Sequence, residues 1–588
     1  MHIKLMRGIY MKTRITKLLV LLLSVVMVTV IAAGCSDNPK NGAEKPDQNT
    51  VIDSGGVTAE PVTLKLFFSG AVSGAAIPSG LQDDGVVKEI EKKLGVKLDF
   101  IGNTTDDQLA SYLASGEILD LTMVSNTKLF SQIIQGKLAL NLNDLVESHG
   151  KDLLANAPEK IEYSKKAFSD GTESLYVIPG SSGPGMISDT YTFGLNIRWD
   201  LYKELGYPEI NSYLDILPVL KSMQDLEPTN ENGQKTYAIS LNTDWDGSTA
   251  LYTLLLAPMY GWDTTEHDFH AEIDNANGYA VKNSFDPDSW MFKGADFLYQ
   301  ANKMGLLDPD SISQKFSSRD EKMKAGRILS SFVHWDVGGF NAAMEAAGKP
   351  EIGMMPVYPK DSKTMWNFGP EPNGIGGGWV ISSKTEHPEK AMEFLNFINS
   401  YEGAMLIFNG VRDKDWVEKD GKPYFTDEAI EASKDVNSPA GIGKYYNASG
   451  LNEWTTHPQY EEMLGGRQWA TTKERTYSQL YKDYDEYYGV DTPYKAYDKQ
   501  RGKEVFSDAY RPYMDVMPDD ISAINTRISD MVKNDIYKMI FAKNDAERDQ
   551  VKTNIIKKAQ DLGIDKEIEW VLQNRKEAKA KYEEAIGK

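Results

Sequence analysis

From residue 62 the chain reads VTLKLFFSG, a β-rich run closed by Gly70, and a helical pattern over Val86–Leu94 follows it. In VKLDFIG (96–102), Val96, Leu98 and Phe100 alternate with other positions, which is the period of a strand with one buried face. A helix around Asp106–Ala114 and the run DLTMVSN (120–126) continue the order. Strand-like runs recur in DGTESLYVIP (170–179), TFGLNIRW (192–199), TYAISLN (236–242), ILSSFVHWD (328–336), IGMMPVYP (352–359) and GWVISS (378–383). Between them lie helical patterns through Ile216, Val219, Leu220 and Met223, around Ser248–Leu256, and in PEKAMEFLNFINS (388–400). Strands alternating with helices predict an α/β fold with a largely parallel sheet. Loops at the carboxyl ends of such strands, here after Phe68 and Val124, are the expected places for a ligand. From Ile521 the apolar positions Ile524, Ile528, Met531 and Val532 keep helical spacing, and the chain ends in charged helical sequence.

The first 60 residues have another pattern. Lys12, Arg14 and Lys17 precede an uncharged apolar run, Leu18–Ala33, the layout of a secretory signal. The run is short for a bilayer span, which needs about 20 apolar residues. Small residues Ala32, Ala33 and Gly34 then lead into Cys35, the single cysteine of the chain. Met11 is an alternative start to Met1. This segment resembles a bacterial lipoprotein signal, with Ala32 where Leu is commonest. The resemblance implies cleavage before Cys35 and its lipidation, and two acyl chains at about 0.8 kcal/mol per buried CH₂ anchor a protein firmly. Residues 36–60, SDNPKNGAEKPDQNTVIDSGGVTAE, have too few apolar residues to offset the entropy of ordering and read as a tether.

Composition narrows the function classes. The 588-residue chain carries 86 acidic and 64 basic residues, a formal charge of −22, which argues against a nucleic-acid partner. One cysteine excludes internal disulfides and cysteine-rich zinc motifs.

Six stretches in order, LASGEILDLTMVSN (113–126), DGTESLYVIPG (170–180), GLNIRWDLYKELGY (194–207), AGRILSSFVHWDVGGF (325–340), IGMMPVYP, and GGGWVISSKTEHPEKAMEFLNFINSYEG (376–403), resemble the carbohydrate-associated solute-binding proteins of bacterial ABC importers. That group includes the maltodextrin-binding proteins, and the C-terminal tail is similar to that of its large Gram-positive members. The resemblance implies a type II, periplasmic-binding-protein-like clamp of two α/β lobes with extra C-terminal helices. It divides the chain into a signal peptide (1–34), a lipid-anchored tether (35–60), lobe 1 (61–195 and 356–409) and lobe 2 (196–355 and 410–588). Interlobe crossings are expected near Gly194–Arg198, Ile352–Pro359 and Asn409–Val411. The implied function is capture of oligosaccharides by hinge closure and delivery to permease subunits in the membrane, by a monomer facing outside the cytoplasm. No catalysis, cofactor or metal is implied.

Sugars present flat C–H faces and rings of hydroxyls, so a site for them needs aromatic faces beside amides, carboxylates or other planar polar groups. Trp245 with Asp244 after TYAISLN, Trp335 with His334 and Asp336 at the end of FVHWD, Asn126 after DLTMV, Trp379, and Trp454 in NEWTTHP meet that description. The other tryptophans are assigned to packing. Asn230-Glu231-Asn232-Gly233 resembles part of a calcium loop, but Pro228 and Ile239 occupy the anionic anchor positions, and a tight turn is expected. His267 and His270 read as a surface pair. Gly376-Gly377-Gly378 lacks the Lys of a phosphate loop and is expected to permit close backbone approach, to a neighbouring element or a sugar. Three rivals stand beside the main reading: a peptide-binding importer component, an anionic-sugar binder using Arg198 or Arg412, and a lipid-anchored glycoside hydrolase.

Overall fold

Strand Val62–Phe68 lies in the interior of a six-stranded sheet, and its C-terminal half, Leu66–Phe68, is buried on both faces. Leu64, Leu66 and Phe68 join one core and Phe67 joins another on the opposite face. The computed structural model describes residues 60–585 except 69–76, 102–105, 126–128, 170, 184–192, 245–251, 254, 264–269, 368–374, 491–492, 501–502, 507–509, 511–512 and 516. The signal, the tether and Cys35 therefore lie outside the described residues. So do Asn126 and Trp245.

The sheet runs in the order Gly80–Leu81, Val96–Ile101, Val62–Phe68, Leu121–Val124, Ile375–Ile381, Val177–Ser181. Val62–Phe68 is parallel to both Val96–Ile101 and Leu121–Val124, with Val62 opposite Val96 and Leu66 opposite Leu121. Ile375–Ile381 is antiparallel to both of its neighbours. Helix Gly85–Leu94 covers one face through Val86, Val87 and Ile90, its first turn capped by the Asp84 carboxylate. Leu109 and Leu113 of Asp106–Ser115, with Phe130 and Ile133 of Leu129–Gln135, cover the other.

The second lobe is organised around Phe193–Arg198, buried along its whole length. Ser330–Val333, Met354–Pro356 and Thr364–Asn367 all pair with it antiparallel, and Thr364–Asn367 pairs in parallel with Lys503–Phe506. This sheet is thus mainly antiparallel, where alternation of strands and helices predicted parallel. The central strand arrives from the other lobe rather than through a local crossover helix, so its neighbours face no right-handed βαβ constraint. TYAISLN forms only isolated parallel bridges, Tyr237 to Ile328 and Ile239 to Leu307. Helices Asp519–Ile540, Asp545–Leu562 and Ile564–Ala585 pack on this lobe through Ile528, Ile536, Met539, Ile555 and Ile564.

The two cores correct the expected boundaries. Residues Trp416 to Trp469 bury their apolar side chains in the first lobe, where hairpin Trp416–Lys419/Lys422–Phe425 packs against Trp469. Val357, Tyr358 and strand Thr364–Asn367 belong to the second. The segments named as crossings, Gly194–Arg198, Ile352–Pro359 and Asn409–Val411, lie inside lobes. An extended apolar run in sequence marks a buried strand as readily as a linker. The described elements instead change lobe between Val177–Ser181 and Phe193–Arg198, between Thr364–Asn367 and Ile375–Ile381, and between helices Ala470–Thr476 and Gln479–Tyr488.

The Gly376–Gly378 run serves close approach to neighbouring strands. Gly377 has φ 94°, and a Cβ there would lie 1.9 Å from the Val124 carbonyl oxygen. Gly233 at φ 70° closes the expected turn, in which the Asn230 carboxamide oxygen accepts from the amides of Asn232 and Gln234. We predict that Gly377→Ala, strained in φ and clashing with main chain, lowers stability by about 3 kcal/mol or more in denaturant unfolding. An unchanged midpoint contradicts this packing.

Candidate functional site

The bridges that tie Tyr237 to Ile328 and Ile239 to Leu307 are parallel, so the segments Asn242–Asp244 and His334–Asp336 leave the same edge of the second lobe. They are joined by a polar network. Buried Asn242 donates from Nδ2 to Asp244 Oδ1 at 3.0 Å and accepts from the Tyr252 hydroxyl. Asp244 Oδ1 also accepts from the Phe316 amide at 2.9 Å, at the start of helix Phe316–Lys324. One turn along, Arg319 Nη2 donates to Asp336 Oδ1 at 2.6 Å, and the Ser331 hydroxyl donates to Asp336 Oδ2 at 2.7 Å. The Arg319 guanidinium carbon stands 5.2 Å from the Phe316 ring centroid.

Burial opposes charge on Arg319, and Asp336 and Tyr252 more than offset it, so the guanidinium is held above its usual range. Burial likewise pushes the Tyr252 phenol well up. Both are fixed donors under the loops.

His334-Trp335-Asp336 opens helix His334–Ala346 rather than ending the strand, which stops at Val333. Asp336 in the first turn favours the helix dipole, and with a side chain 2% exposed and both oxygens engaged it supports the loop instead of facing a ligand. His334 is half-buried, Asp244 is exposed, and the Trp335 side chain lies outside what the structure describes.

In the first lobe Trp454 is half-buried on a loop at the carboxyl end of Val177–Ser181. Its amide donates to Asn452 Oδ1 at 3.0 Å, and Asn452 Nδ2 donates to the Ser181 hydroxyl at 3.2 Å. Trp379 is corrected. It is 1% exposed, edge-on to Phe68 at 5.6 Å and to Phe394 at 6.5 Å, so its indole belongs to the core.

Other expectations resolve as well. Of the expected surface pair, His267 lies outside the described residues and His270 is buried, with Nδ1 2.9 Å from Glu567 Oε1 and Nε2 3.3 Å from the Ser529 hydroxyl, tying two C-terminal helices to the lobe. Arg198 is buried between Asp200 and Glu227, and Arg412 pairs with Glu418 over the Trp416 ring. Arg319, Asn242 and Tyr252 were not singled out from sequence. The helix FSSRDEKMK reads as a solvated charged stretch, and the one signal was that Arg319 and Met323, four apart, share a buried side.

A model of the family described as "Bacterial extracellular solute-binding protein" matches residues 76–405, more than half the chain. The chain belongs to that family. Among curated proteins none is matched. Solved structures share the fold of this solute-binding protein. The FusA ABC-transporter substrate-binding protein of S. pneumoniae, in complex with kestose, superposes with TM-score 0.60 at 16% identity, over 88% of this chain and 100% of that one. An alginate-binding protein without calcium gives 0.59 at 20% identity, over 88% and 99%. An HMO-binding solute-binding protein of Bifidobacterium longum infantis gives 0.58 at 15% identity, also over 88% and 99%. The two-lobed solute-binding fold with added helices is therefore the architecture, and no helix among the described residues is long and apolar enough to cross a membrane.

Removing one partner of a buried ion pair leaves the other uncompensated, at about 3–5 kcal/mol. Arg319→Leu is expected to lose stability on that scale, and Arg319→Leu with Asp336→Leu to recover most of it. Equal losses in single and double variants, measured by chemical unfolding, contradict the pairing.

Proposed function

We propose that this solute-binding protein is the oligosaccharide-capturing component of an ABC importer, held to the outer face of the cell membrane through lipid on Cys35 and delivering its ligand unchanged to the permease. The observation that carries the reading is family membership together with fold-level likeness to a protein in complex with kestose and to alginate-binding and HMO-binding proteins. The lobe edges support it. Trp335 and His334 in the first turn of His334–Ala346, Asp244 with Trp245 next to it in sequence, and Trp454, with Asn126 following Leu121–Val124 in sequence, are residue types whose aromatic faces, amides and carboxylates suit a sugar. We assign these side chains to the ligand, and Asp336 to holding the first pair in place.

Pairing of Arg198 and Arg412 with their own carboxylates favours a neutral saccharide over an anionic one. Capture follows from the two-lobe design: a ligand that touches both lobes stabilises the closed arrangement by its differential affinity, and the permease reads that arrangement. The protein acts as a monomer, with no covalent chemistry.

Thermal-shift screening against plant, fungal and host-derived oligosaccharides tests this. One specific ligand at about 100 times its Kd is expected to stabilise by about 2.7 kcal/mol. Trp335→Ala and Trp245→Ala are expected to lose affinity by tenfold or more, roughly the worth of one aromatic contact. Cleavage of a saccharide during incubation, or unchanged affinity in both variants, overturns the proposal.

A further inference from the structure

Lys160 is a lysine that the binding reading leaves unused. It lies on helix Pro158–Ala167, whose buried face also contains Ile161 and Ser164, and the residue is 1% exposed. Among the described residues its ammonium meets neutral acceptors. Nζ donates to Asn399 Oδ1 at 3.1 Å and to the Gly450 carbonyl oxygen at 2.5 Å. The same Gly450 carbonyl accepts from the Ser182 amide at 3.1 Å, and the Gly450 amide donates to the Ile398 carbonyl at 2.8 Å.

Gly450 begins the loop that reaches Trp454, and Ser182 begins the first crossing to the second lobe. Ser181–Gly183 lies against the Gly450–Thr455 loop. Asn452 holds Ser181 at 3.2 Å, and a Cβ on Gly183 would stand 2.2 Å from the Thr455 hydroxyl oxygen. One lysine nitrogen is thus bonded to the junction of a candidate ligand loop and an interlobe crossing.

We infer that Lys160 positions the Gly450–Thr455 loop, and with it Trp454 and the root of the first crossing, and that its grip weakens as the ammonium loses its proton. The physical basis is that hydrogen bonds from an ionised donor are roughly twice as strong as those from a neutral one. Burial brings Lys160 down from its ordinary value to about 7, so the change falls near neutrality. Charged groups on the surrounding elements are engaged elsewhere: Asp152 accepts from Asn396, Glu162 pairs with Lys165, Glu393 with Lys390, and Glu453 accepts from the Tyr446 hydroxyl. The effect on ligand rests on the assignment of Trp454 in the proposed function. The effect on the loop does not.

Two readouts are expected to move in opposite directions. The folded state releases the lysine proton more readily than the unfolded chain does, so global stability rises with pH from about 7 toward the ordinary lysine value. Parting the Ser182 amide from the Gly450 carbonyl is a smaller opening that leaves Lys160 packed on its helix beside Ile161 and Ser164, so it forfeits the ammonium's hydrogen bonds without hydrating it, and local protection of the Ser182 and Gly450 amides falls over the same range. Hydrogen–deuterium exchange on the full chain at about pH 6 and about pH 8.5, corrected for intrinsic rates, is expected to show roughly a several-fold loss of protection at those amides and none at the Leu329 amide. Lys160→Arg is expected to keep protection at both pH values, and Lys160→Met to lose it at both. Should Lys160→Met fail to fold, the parent and Lys160→Arg decide the matter. Ser182 protection independent of pH in the parent overturns the inference. If Trp454→Ala weakens binding of a saccharide found by screening while Ser182 exchange is flat, the inference fails and the binding assignment stands. pH-dependent exchange with full affinity in Trp454→Ala sustains the inference and removes Trp454 from the site.

Discussion

Two separately closed cores, each assembled from distant stretches of one chain, constrain everything else in this protein. The first gathers Leu64, Trp379 and Trp469; the second gathers Leu195, Met355 and Ile536. Residues far apart in sequence must therefore meet within each lobe, while among the described elements the chain changes lobe three times. Close-packed interiors resist small deformations, so adjustment concentrates in the segments outside them. Two separately packed cores between which the chain seldom changes sides suit capture by closure.

The loops at the lobe edges are stiffened from below. Arg319 and Ser331 hold Asp336 in the first turn of the helix that begins at His334, and Asn242, which accepts from Tyr252, donates to Asp244. Lys160, Asn399 and Asn452 do the same for the loop of Trp454. Binding by a preorganised surface avoids part of the entropy cost of ordering side chains at the moment of association. The buried charges thus serve the position of exposed groups, and their net worth to folding is small beside that.

Much of the architecture was legible because it is local. Alternation at Val96, Leu98 and Phe100 identified a strand, and the spacing of Ile216, Val219, Leu220 and Met223 identified a helix. What failed was long-range. Nothing in FVHWD distinguishes a strand end from the first turn of a helix, since Asp336 suits a helix start through a field the sequence does not display. Trp379 has a glycine-rich approach that suggests an exposed loop, yet those glycines admit Val124 and Val177 so that the indole can be buried. Lys160 and His270 look like surface residues until their buried hydrogen-bond partners, from the Asn399–Gly450 and Asn525–Glu567 regions, are in place.

The most direct test of the two-body account is a distance measurement between the lobes. Spin labels at Leu81→Cys and Leu214→Cys, both exposed and on different lobes, placed in a Cys35→Ser chain, report that distance by pulsed electron resonance. Saturation with the saccharide found by thermal-shift screening is predicted to shift the distribution to a single shorter distance, with no change between two labels placed within one lobe. A distribution that stays the same at saturation, or that changes equally within a lobe, contradicts the account.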